Sequence, residues 1–70
     1  MKARTAWYVS DLHPRYKNHL ENTKAFAKGL NDAGKAEAIS HIRGYLTALE
    51  DAGIISPVQS RALKIYYTNF

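Results

Sequence analysis

The sequence predicts an all-α protein, a small three- to four-helix bundle built on an antiparallel helical hairpin. Three observations carry that prediction. Apolar residues recur at three- and four-residue steps along most of the chain. Gly34, Gly53 and the Ser56-Pro57 pair punctuate the pattern at helix-like intervals. No stretch of alternating residues has an evident partner strand. Residues 1–70 make one domain, since either half alone is too short to bury a core. Apolar residues form 46% of the chain and charged residues 23%, a balance that folds rather than one that stays disordered.

Residues 1–10 are ambiguous in sequence. Ala3, Trp7 and Ser10 follow helical spacing, whereas Thr5, Trp7 and Val9 alternate as in a strand. A lone strand has nothing to pair with, so the segment reads as an arm or short helix that lays Trp7 on the bundle. The first long helix is expected over 11–33, with Asp11 as cap and Pro14 in its first turn. Leu12, Tyr16, Leu20, Thr23, Ala27 and Leu30, widened by Phe26 and Ala33, give it a core-facing stripe about 140° wide. Asn31-Asp32-Ala33-Gly34 should close it, with Gly34 in the left-handed position.

A second helix is expected over 36–52, on the stripe Ile39, Ile42, Leu46 and Leu49. Gly53 and Ile54 look like a Schellman ending, and the short connection makes the two helices an antiparallel hairpin. The third helix, 57–68, opens on a Ser56-x-x-Gln59 capping box with Pro57 at its first position. Val58, Ala62, Leu63, Ile65, Tyr66 and Phe70 fill an arc of about 160°, which predicts that most of this helix is covered.

Function is constrained chiefly by what the sequence lacks. There is no cysteine, hence no disulfide and no thiolate site. The histidines His13 and His19 fall on different sides of one helix, and His41 has only Glu37 at coordination spacing, so no metal site is expected. No Gly-rich phosphate loop, nucleophile elbow or paired carboxylates appear, so neither an enzyme nor a cofactor is expected. Trp7-Tyr8-Val9 is cut off by Ser10-Asp11, too short for a leader, and no run is long enough to span a membrane. The expectation is a cytoplasmic protein.

The surface offers two kinds of partner. Ten Lys/Arg against six Asp/Glu bias it towards anions. Lys17, Lys24 and Lys28 lie within about 40° of one another on the first long helix, and Arg15, Lys2 and Arg4 extend that patch. Glu21 and Asp32, at three- and four-residue spacings, should neutralise part of it. In addition, Ala52-Gly53 followed by Ser60-Arg61-Ala62-Leu63 resembles the helix-turn-helix of lactose-type repressors, over roughly a quarter of the chain. The resemblance implies a DNA-reading helix that offers Ser60, Arg61, Lys64 and Thr68. Leu49 stands where such motifs hold a small residue, and Gln59 where they bury an aliphatic one.

A protein partner is the leading expectation, with nucleic acid second and a homodimer third. Gly44 lies mid-helix, opposite the apolar stripe, at a cost of roughly 1 kcal/mol relative to alanine. With Ser40, His41 and Ala48 it makes a low-relief strip edged by Glu37 and Asp51, to be met by the amino-terminal arm or by a partner. Trp7, Tyr8 and Tyr67 sit at the edges of the predicted faces, where aromatic anchors remain available to an interface. Taken together, the sequence reads as a non-enzymatic accessory factor, an inhibitor or adaptor, that occupies another protein's surface. Its small size fits a phage or mobile-element origin.

Overall fold

Four helices carry the chain: α1 (Lys2–Asp11), α2 (Pro14–Ala27), α3 (Asp32–Asp51) and α4 (Pro57–Tyr67). The computed structural model describes the backbone of residues 2–70 and the side chains of residues 7–70, and holds no strand among them. The radius of gyration, 11.6 Å, is close to the roughly 11 Å of a well-packed chain of this length.

The amino-terminal segment is helical, and the helix expected over 11–33 is shorter at both ends. Asp11 closes α1 instead of capping α2. Pro14 decides this, because a proline at the first helical position makes the preceding residue the cap and holds it extended. His13 fills that role at φ −56° and ψ 137°, its Nδ1 accepting the Arg15 N–H at 3.1 Å. At the other end, α2 stops at Ala27 and turns through Lys28–Leu30, where the Leu30 N–H donates to the Ala27 carbonyl.

Asn31-Asp32-Ala33-Gly34 therefore opens a helix and does not close one. Asn31 Oδ1 accepts the Gly34 N–H at 2.9 Å, and Asp32 places a carboxylate by the positive end of α3. Gly34 is not left-handed; Gly53, at φ 76°, is the one described glycine with a positive φ. A Cβ on Gly34 would lie 2.8 Å from Leu30 Cβ, so glycine here lets the turn close over the helix start.

The ending at Gly53 is the expected Schellman pair: Ile54 N–H donates to the Leu49 carbonyl at 2.9 Å and Gly53 N–H to the Glu50 carbonyl at 3.0 Å. Ile55, not Ile54, is the residue that enters the core. Ser56 caps α4 by accepting the Gln59 N–H at 3.0 Å. The reciprocal half of the box is replaced, since Gln59 Nε2 donates to the Tyr8 carbonyl at 3.3 Å.

The core is Leu12, Leu20, Ile42, Leu46, Leu49, Ile55, Leu63 and Tyr67, with Tyr8, Val9, Tyr16, Tyr45 and Phe70 packed around it. The hairpin of α2 and α3 is antiparallel, because Tyr16 meets Tyr45 while the later His19 meets the earlier His41. α4 packs against each of the other three helices, and α1 rests on α4.

The main departure is the rotation of α4. Its buried side is Gln59, Ser60, Leu63 and Tyr67, whereas Val58, Ile65 and Tyr66 face solvent. Ile65 lies about 160° from both Leu63 and Tyr67 on a helical wheel, so the face that buries those two turns it to solvent. The larger ring takes the interior, and Val58 follows Ile65 outward. Phe26, expected in the α2 stripe, is likewise exposed.

Candidate functional site

The outward side of α4 is the most distinctive surface. Val58 is 62% exposed and Ile65 69%, seven residues apart and hence almost superimposed along the helix. Tyr66 lies on the side away from α3, capped by Lys24, whose Nζ is 4.9 Å from the ring centroid and donates to the Tyr66 carbonyl at 3.1 Å. On the other side, a shallow cleft of about 290 Å³ between α3 and α4 is lined by Arg43, Glu50, Pro57, Ser60, Arg61, Lys64 and Ile65. An apolar ridge thus runs beside a cleft that carries three cations and one carboxylate.

Several residues singled out from sequence fall elsewhere. Ser60 is fully buried, not presented on an outer face, and its Oγ has no hydrogen-bond partner. The same holds for Tyr67, expected at an edge: it is 1% exposed, and its hydroxyl too is without a partner. Burial, then the neighbouring Glu21 and Tyr66, push that phenol up to about 12. Tyr8 is half-buried under its link to Gln59, while Trp7 remains open. Gln59, at a helix-turn-helix position that calls for an aliphatic residue, is indeed buried, but as a polar bridge to α1.

The α3 strip is open along Glu37, Ser40, His41, Gly44 and Ala48. A Cβ on Gly44 would meet nothing within 4 Å among the described residues, and α1 packs on α4. The lysine stripe is only partly assembled. Arg15 and Lys28 are exposed and Lys17 half-buried, while Lys24 turns to Tyr66 rather than to Glu21. The side chains of Lys2 and Arg4 lie outside the described residues.

The histidines hold a feature that spacing did not reveal. His19 on α2 and His41 on α3 are 22 residues apart in sequence, yet their Nε2 atoms approach to 3.0 Å. Both rings pack on Tyr45, His19 at 4.3 Å and His41 nearly parallel at 6.3 Å between centroids. Burial raises the Tyr45 phenol above its ordinary value, Tyr16 adds to the rise, and Arg15 opposes it. No group of three or more metal-ligating side chains occurs among the described residues.

Compared with family models, curated proteins and solved structures, the chain finds no match in any of the three. No helix among the described residues is long and apolar enough to cross a membrane.

Proposed function

We propose that this protein is a small, non-enzymatic binding factor that occupies the surface of another protein through the outward side of α4. The observation behind this reading is the exposure of Val58 and Ile65 on a helix that buries Gln59 and Ser60. Aliphatic surface left in water while polar groups are taken inside is unfavourable for the isolated chain. Covering Val58 and Ile65 with a partner's apolar surface removes that cost, at about 25 cal/mol per Å² buried. Arg43, Arg61 and Lys64 along one flank favour a partner whose apolar site has an acidic border. The Gly44 strip offers less, because small and polar side chains bury little apolar area.

A second reading, a nucleic-acid-binding regulator, draws on the same flank: Arg43 adds to Arg61 and Lys64 a third cation that the sequence did not place. Phosphate contacts would make affinity fall steeply with salt, and an apolar contact would not. The test is capture from a lysate of the source cell, with and without nuclease, by the wild-type chain, Ile65→Glu, and Arg61→Ala/Lys64→Ala. The expected outcome is a protein retained after nuclease, lost with Ile65→Glu and largely kept by the double variant. Capture that vanishes with nuclease, and with Arg61 and Lys64, would instead favour the second reading.

A further inference from the structure

The geometry points to a two-histidine site for a divalent transition ion, formed by His19 and His41 across the α2–α3 hairpin. The two Nε2 atoms lie 3.0 Å apart. With metal–nitrogen bonds of roughly 2.05 Å, a 3.0 Å separation corresponds to an N–metal–N angle of about 94°, reached once each ring turns off the end-to-end N–H···N line on which the ring centroids stand 5.2 Å apart. That is the angle between neighbouring positions of a square-planar or octahedral ion; tetrahedral ligation requires nitrogens about 3.3 Å apart. Imidazole pairs with this bite suit Cu²⁺ and Ni²⁺, and the hard ions Mg²⁺ and Ca²⁺ do not choose them.

The surroundings suit a chelate. Both histidines are exposed, so an ion has direct access and water fills its remaining positions. Tyr45 packs against the His19 ring at 4.3 Å between centroids and lies nearly parallel to the His41 ring at 6.3 Å. Without an ion, one Nε2–H donates to the other Nε2. Binding requires the donor ring to carry its hydrogen on Nδ1, a change of tautomer that leaves the ligand pair neutral. The two ligands sit on different helices, so an ion joins α2 to α3 in the folded chain alone and stabilises the fold as it binds.

Calorimetric titration of the full chain, free of any affinity tag, with CuCl₂ and NiCl₂ tests the site, with electron paramagnetic resonance of the Cu²⁺ form. The expected result is one ion per chain, with hyperfine structure from two imidazole nitrogens. Affinity should fall at least tenfold in His19→Gln and in His41→Gln and stay unchanged in His13→Gln. Ni²⁺, but not Mg²⁺, should raise the melting temperature of the wild type, and neither single variant should show that rise. Equal affinity in all variants would place the ion elsewhere and overturn the site, as would a spectrum with a single imidazole nitrogen or a melting temperature indifferent to Ni²⁺.

Discussion

Tyr67 and Ser60 share an unusual position on α4, each burying a hydroxyl with no partner in the middle of the bundle. Such a group loses its water and gains nothing in exchange, so removing it is near neutral or favourable, whereas truncating the ring would leave a cavity. Tyr67→Phe should therefore leave stability at neutral pH within about 1 kcal/mol of wild type, or above it. The larger effect should appear in alkali. A phenol held near 12 in the folded chain but near 10 when unfolded favours the protonated fold. Its contribution is complete below pH 10 and is lost as pH climbs from 10 towards 12, by up to about 3 kcal/mol. Denaturant titrations at pH 7, 10 and 11.5 would show this decline in the wild type and a shallower one in Tyr67→Phe. Parallel declines would mean that another group governs alkaline unfolding.

At the scale of the elements, Gly44 within α3 and Gly53 just past its end should respond in opposite directions to alanine. Gly44 is helical with open space where a Cβ would go, so Gly44→Ala should stabilise by about 0.5–1 kcal/mol through helix propensity and leave partner capture intact. Gly53, at φ 76°, closes the Schellman ending, so Gly53→Ala should cost about 1 kcal/mol. Melting curves of the two variants check the pair. The helical class, the Gly53 ending and the Ser56 cap were legible in sequence because each rests on chemistry within a few residues. The first hairpin turn was not, since Asn31-Asp32-Ala33-Gly34 satisfies an ending and a beginning equally well in local terms. That ambiguity also hid the histidine pair. A hairpin folded about residue 34 sets His19 against Leu49, and one folded about residue 30 sets it against His41. The register of one turn decides whether two imidazoles meet.

For the whole molecule, the orientation of α4 is the decisive variable, because α4 packs against all three other helices. Hydropathy alone prefers an arc centred on Val58, Ala62 and Tyr66, with Ile65 at its margin. The fold prefers Ser60, Leu63 and Tyr67, whose side chains complete the interior between α1, α2 and α3. Two substitutions separate these orientations, because each predicts opposite outcomes for them. Ser60→Arg should unfold the chain. It would force a long cationic side chain into a fully buried position beside Arg43, Arg61 and Lys64, in a bundle holding only about 3–5 kcal/mol in total. Ile65→Ala, at a site 69% exposed, should shift stability by no more than about 0.5 kcal/mol, far below the 2–5 kcal/mol of a buried isoleucine. Circular dichroism and thermal melts of the two variants read this directly. A folded Ser60→Arg together with a destabilised Ile65→Ala would mean that α4 presents Ser60 outward. The apolar ridge would then be core, and the surface for a partner would return to Arg61, Lys64 and the cationic flank.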